Sequence, residues 1–301
     1  MPTFATPEPI SVMIDLAAAK VRINASDRTD TVVDIRPGDE FSETDRHAAE
    51  QVQVEYADGR LLVKADKNRP APPSGWGDSI DKLVEAPRIW ARSLLGWGGT
   101  VDVTIDLPTG SRVEANAAAD FRCRGRLGEV KFAASYGDIR LEEAGRLQLK
   151  TGSGDISVTR SVGHADITSS NGDIRIGEID GTAVVRTSNG DLRLGSVTGE
   201  LRLKTAYGDI TVDRALAGVA AKTAYGSVRI GEVVSGAVVL ETAGGRLELG
   251  IREGTAAWLD VSSQYGSVDV SLDDCAGPGQ SDETVEVRAH TAYGDIVIHR
   301  S

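Results

Sequence analysis

Few residues in this chain have the type and spacing that chemistry needs. The four histidines, His47, His164, His290 and His299, stand apart and form no HxxxH or HExxH pair, so no zinc site is encoded locally. Gly152-Ser153-Gly154 is not a GxSxG elbow and sits in a repeat like any other corner. Cys123 and Cys275 lie far apart with no CxxC, which reads as two free thiols in a reducing compartment rather than a disulfide scaffold. More conspicuous is a row of carboxylates at constant spacing: Asp138, Asp155, Asp173, Asp191 and Asp209. Stacked like charges need compensation, and calcium is one means. Calcium-binding solenoids, however, place Gly-Gly-x-Gly-x-Asp every nine residues, and here the aspartate recurs only every 17 or 18. Corner hydrogen bonds and the neighbouring Arg140, Arg175, Arg193 and Arg229 suffice, so neither calcium nor any cofactor is expected. A second row is aromatic: Tyr136, Tyr207, Tyr225, Tyr265 and Tyr293 each precede a glycine. Exposed rings in a row suit a glycan, although mutual stacking that stabilises the corner is the plainer reading. Tyr207 and Tyr225 should stack on adjacent coils.

Both rows belong to one repeat. The pairs Gly137-Asp138, Gly154-Asp155, Gly172-Asp173, Gly190-Asp191 and Gly208-Asp209 are followed by Gly226-Ser227, drifting copies at Gly245 and Gly266, and a clean Gly294-Asp295. The glycines step by 17, 18, 18, 18, 18, 19, 21 and 28 residues, which is too regular for chance. Asp120-Phe121, 18 residues before Asp138-Ile139, looks like a degenerate first copy. Within a unit, Leu192, Leu194, Val197, Leu201 and Leu203 alternate with polar residues such as Arg193, and Thr205 closes the unit. Period-two alternation on either side of a short step means two short strands per unit, each with one buried face. One such unit cannot bury its apolar face alone. Stacking cures this, each strand pairing in parallel with its equivalent one unit away. The expectation is all-β: a parallel β-solenoid of about nine coils over 100–301, a rod roughly 45 Å long. The glycines permit the positive φ of the corner, and the following Asp can accept backbone N–H groups there.

These Gly-Asp-Ile corners, following Val101-Asp102-Val103-Thr104-Ile105-Asp106-Leu107-Pro108-Thr109-Gly110-Ser111, resemble the bacterial "putative adhesin" family of domains of unknown function. The segment Glu55-Tyr56-Ala57-Asp58-Gly59-Arg60-Leu61-Leu62-Val63 is similar to that family's N-terminal part. The resemblance covers roughly residues 10–66 and 100–301. It implies a β-solenoid without catalytic residues and, for some members, a link to cell-envelope stress.

Outside the repeats, residues 1–66 read as an N-terminal β-layer continuous with the solenoid, with Glu40 to Glu50 as a loop or short helix. Residues 67–99 break the pattern with a Pro/Gly/Ser loop and an amphipathic helical stretch carrying Trp76, Trp90, Leu94 and Trp97. Three readings stay open for this insert: a cap on the solenoid, a helix that docks a partner or membrane surface, and a flexible excursion. Its balanced charges make attraction to anionic lipid weak. The net charge of −12, with Lys and Arg dispersed, argues against nucleic acid. No apolar run is long enough to span a membrane and the first residues lack a basic n-region, so the cytoplasm is expected, with membrane association still open. Long-coiled solenoids can host active sites, but nothing catalytic assembles in the one long insertion near 271–286. The sequence therefore predicts a non-enzymatic scaffold that binds a protein partner or itself. The alternative is a glycan- or membrane-surface-binding module.

Overall fold

A computed structural model describes residues 1–65, 99–272 and 283–301. The chain opens with β1 (Thr3–Ala5), β2 (Ser11–Ser26), β3 (Asp30–Pro37), α1 (Glu43–Glu50), β4 (Val52–Ala57), β5 (Arg60–Ala65), β6 (Val101–Pro108) and β7 (Arg112–Leu127). Pairs of short strands follow: β8 (Val130–Tyr136) with β9 (Ile139–Ala144), β10 (Leu147–Ser153) with β11 (Ile156–Val162), and β12 (Ala165–Asn171) with β13 (Ile174–Asp180). Next come β14 (Ala183–Arg186) with β15 (Leu192–Val197), β16 (Leu201–Lys204) with β17 (Ile210–Ala215), and β18 (Val219–Lys222) with β19 (Val228–Val233). The last are β20 (Gly236–Gly244) with β21 (Leu247–Ile251), β22 (Ala256–Tyr265) with β23 (Val268–Ser271), and β24 (Thr284–Tyr293) with β25 (Ile296–Arg300).

The fold is a parallel β-solenoid. Ile174, Leu192, Ile210 and Val228 stand in one parallel ladder, and Ala183, Leu201, Val219 and Val238 in the other. Period-two alternation therefore becomes two buried columns that face each other. Leu192, Leu194, Val197, Leu201 and Leu203 are all buried, while Arg193 points outward. Thr205 is buried too, and its hydroxyl donates to the carbonyls of Gly190 and Tyr207, which satisfies the polar group inside the core. The polar stretch before β4 forms α1, whose N-cap Ser42 accepts the N–H of Asp45.

Stacking order departs from chain order at both ends. In space the coils run β5/β6, β2, β7, β8/β9, then in sequence to β20/β21, then β24/β25, and last β22/β23. The first coil of the chain is thus the second in the stack, and the last coil is the penultimate. Chain-order pairing, the expectation from the repeat, fails here. Equivalent strands of any two coils are complementary, so connection length decides who neighbours whom. The 28-residue step between Gly266 and Gly294 supplies enough chain to return one coil inward. Twelve coils stack instead of nine, because β5/β6, β2 and β7 precede the first Gly-Asp corner of the repeat at Gly137-Asp138; at about 4.8 Å per step the rod is roughly 53 Å long.

The two ends differ. At the first, β4 pairs antiparallel with β5 and β3 antiparallel with β6, while β1 pairs with β3, so antiparallel strands close the stack. At the other, β22 pairs only with β24 and β23 only with β25 among the described residues. The helical insert expected over 67–99 falls, but for Gly99, outside the described residues. With it go Trp76, Trp90, Leu94 and Trp97, and Cys275 also lies outside.

Leu192→Asp should abolish cooperative unfolding or lower its midpoint steeply, since an unpaired carboxylate would enter the packed core at a cost of several kcal/mol. Arg193→Ala should leave thermal melting within a degree or two. Comparable losses in both variants, read by circular dichroism, would refute the inward and outward assignment.

Candidate interaction surface

Two ladders follow the Gly-Asp corner, one of carboxylates and one of the residue before the glycine. At Gly190 the backbone has φ 136°, and an added Cβ would lie 2.2 Å from the Gly172 carbonyl oxygen of the neighbouring coil. Handedness and crowding both demand glycine there. The carboxylates then bridge coils. The Asp138 N–H donates to Asp120 Oδ1 at 2.9 Å, Asp155 to Asp138 at 3.0 Å and Asp173 to Asp155 at 2.9 Å. The series continues with Asp191 to Asp173 at 3.0 Å, Asp209 to Asp191 at 3.0 Å and Ser227 to Asp209 at 2.7 Å. The second carboxylate oxygen faces arginine: Arg140 meets Asp138 at 3.2 Å, Arg175 meets Asp173 at 2.6 Å and Arg193 meets Asp191 at 3.0 Å. Arg229, expected in this row, pairs with Glu248 at 3.4 Å because its own corner residue is Ser227. Each aspartate is therefore engaged in holding the stack, and among the described residues no three metal-ligating side chains converge.

The aromatic ladder lies beside it on the surface. Tyr207 and Tyr225 stack with ring centroids 5.4 Å apart and planes 9° apart, and Tyr265 and Tyr293 do so at 5.0 Å and 9°. All four are more than half exposed. On the coils before Tyr207 the same position is held by asparagine, where Asn189 Nδ2 donates to Asn171 Oδ1 at 2.9 Å. Sequence reasoning found these tyrosines but not their order. Because β24 lies between β20 and β22, the spatial series is Tyr207, Tyr225, Gly244, Tyr293, Tyr265. The signal was the 28-residue step, which reads as an insertion and hides a change of stacking order.

The remaining candidates scatter. His47 lies on α1 beside Gln51, His164 bonds Thr182, His290 bonds Ser262, and His299 Nδ1 contacts the Arg300 carbonyl. Ser153 is an ordinary rung between Tyr136 and Asn171. Cys123 is buried in the core, and the loss of hydration pushes its thiol well above the ordinary range, so it stays protonated.

Between the last two coils of the stack, Asp295 accepts both the backbone N–H and the hydroxyl of Ser267 at 2.8 Å. Those bonds, with a smaller contribution from Arg246, hold its carboxyl below the usual range. A carboxyl favoured in its ionised form stabilises the fold above its unfolded-state pKa, and that stability fades as pH falls through the lower folded value. Asp295→Asn should therefore flatten the fall in melting temperature on acidification below about pH 4; an unchanged acid limb would contradict this. Along the ladder, Asp173→Ala should cost about 1 kcal/mol in denaturant unfolding by leaving the Asp191 N–H without its partner. Asp173→Asn retains an acceptor oxygen and should cost less.

No curated protein matches this chain. Among solved structures, it is similar to a "putative adhesin" from Bacteroides fragilis at 11% identity, covering 99% of this chain and 95% of the other, with a TM-score of 0.35. A second "putative adhesin", from Parabacteroides merdae, shares 12% identity over 83% of this chain and 91% of the other at a TM-score of 0.27. A "putative cell adhesion protein" from Clostridium sporogenes shares 11% identity over 100% and 98% at a TM-score of 0.19. The family Toastrack DUF4097 matches residues 11–301, nearly the whole solenoid and its first strands, and the chain belongs to that family.

Proposed function

We infer that this chain is a non-enzymatic interaction module that associates with a second copy of itself through its open end. The observation that carries this is the asymmetry of the rod. One end is closed by antiparallel strands from the same chain. At the other, β22 and β23 each present an outer edge with no strand partner among the described residues. The inward-facing row of that coil is apolar: Ala257, Leu259 and Val261 are half-buried, and Val268 and Val270 are 43% and 40% exposed. One coil further in, the equivalent Val287 and Ile298 are fully buried. An unpaired edge with an apolar row is a template for another strand. Two such ends related by a two-fold axis pair antiparallel in both columns. That is the geometry with which β3 and β4 close the opposite end.

Membership in the Toastrack family supports an interaction role, and the adhesin names of the similar structures accord with it. A part in cell-envelope stress or surface processes belongs to the same proposal and rests on the family resemblance; a cytoplasmic or membrane-associated location is part of the proposal too and has no support from that resemblance. Trp76, Trp90, Leu94 and Trp97 belong to it as a second docking element.

Val270→Lys places a charge on an edge strand at a position that is already part exposed, so folding should survive while pairing does not. Analytical ultracentrifugation of the full chain should show a concentration-dependent dimer for the wild type and a monomer for the variant, with equal melting temperatures. A wild type that stays monomeric at the highest soluble concentration would overturn the self-association.

A further inference from the structure

The tyrosine ladder has one missing rung. Gly244 occupies the position held by Tyr225 on the coil before it and by Tyr293 on the coil after it. Neither backbone nor packing requires glycine there. Gly244 is absent from the positive-φ residues, unlike its neighbour Gly245 at 156°. A Cβ on Gly244 would meet only the Tyr225 ring, at 3.5 and 3.9 Å, which is ordinary contact. At Gly190 or Gly245, by contrast, an added Cβ would be driven into a neighbouring carbonyl. The glycine at 244 thus leaves a one-rung slot in the ladder, between the exposed rings of Tyr225, which lies against it, and Tyr293.

The slot spans one missing rung. The strands that carry Tyr225 and Tyr293 are two spacings apart, about 9.6 Å at the backbone. The empty rung is therefore about 4.8 Å along the ladder from each neighbour, of the order of the 5.0 and 5.4 Å between the stacked rings on either side. Each wall is backed by a second ring, Tyr207 behind Tyr225 and Tyr265 behind Tyr293, so neither wall ring is held alone. The corner beside the slot is polar and carries both signs. Arg246, on the slot's own coil, replaces the usual corner Asp, and Asp295 follows on the next. Arg246 has a side chain 56% exposed and meets Glu248 only at 4.0 Å.

We propose that the Gly244 slot binds one pyranose ring of a glycan, sandwiched between Tyr225 and Tyr293, with its hydroxyls met by Arg246 and Asp295. Two apolar ring faces bordered by hydroxyls match two aromatic walls bordered by charged hydrogen-bonding groups. An aromatic side chain from a peptide would fill the walls and leave the polar border unused. Tyr207 and Tyr225, read from the sequence as a candidate glycan edge, form half of this site. The other half comes from Tyr293, which reaches it only through the altered coil order. The site shares only Tyr265, at the end of β22, with the edge proposed for self-association, so Val270→Lys reads the dimer and Gly244→Tyr reads the slot.

Gly244→Tyr tests the slot directly, because it supplies the missing rung. The full chain and this variant are applied to an immobilised array of pyranose oligosaccharides, and hits are titrated by calorimetry. The wild type should bind at least one glycan. Gly244→Tyr should weaken it tenfold or more while melting at the same or a higher temperature, since the stack becomes continuous. Tyr293→Ala should also lose binding, and Tyr136→Ala, remote on the ladder, should keep it. Absence of binding to every glycan, full binding by Gly244→Tyr, or binding of tyrosinamide in preference to any sugar would overturn the proposal.

Discussion

The backbone hydrogen bonding between one coil and the next is the interaction on which the rest of this molecule depends. A unit with two strands of four to ten residues has too little core to stand alone, so every coil borrows the buried face of its neighbours. That borrowing works only if all coils keep the same outline, and the corner is where outline is set. Glycine permits the turn and the close approach of the adjacent carbonyl. The aspartate after it converts the corner into a further intercoil bond by accepting the next backbone N–H. Its charge then calls for the arginine two residues on, which explains why Asp and Arg recur together.

Regularity of this kind leaves the outer surface free to vary. Inward positions are held mostly by Val, Ile, Leu and Ala, with Phe121, Phe132, Cys123 and a few Thr and Ser among them, whereas outward positions need only tolerate their neighbours in the ladder. Asparagine stacks on asparagine over one stretch and tyrosine on tyrosine over another. A single departure, such as Gly244 among tyrosines, then becomes a shaped feature because its surroundings are so uniform. The same logic applies to the ends, where the repeat stops and its unsatisfied edge must be covered or used.

Threading the first and last coils inward has a mechanical consequence. In a solenoid stacked in chain order the terminal coil frays freely, since it is held from one side only. Here β2 is held by β5/β6 and by β7, and β24/β25 by β20/β21 and by β22/β23. The first and last coils of the chain are therefore paired on both edges. The edge that lacks an outer partner among the described residues belongs to a coil that is internal in sequence.

Much of this was legible in the sequence because a repeat imposes local rules. The period of the Gly-Asp corners, the alternation of Leu192, Leu194, Leu201 and Leu203 with charged residues, and the degenerate Asp120-Phe121 copy specified a parallel solenoid and its inward face. They did so because each feature is set within one unit and by its nearest neighbour. Coil order was not legible: all coils present the same edges, so pairing preference is nearly degenerate and the choice falls to loop lengths and chain reach. Only the tertiary structure therefore showed that β2 and β24/β25 are threaded inward, that β3 and β4 close one end, and that among the described residues β22 and β23 have no outer partner at the other. The neighbours of Gly244 were decided in the same way, since Tyr293 faces Tyr225 across that glycine despite the intervening 67 residues of chain.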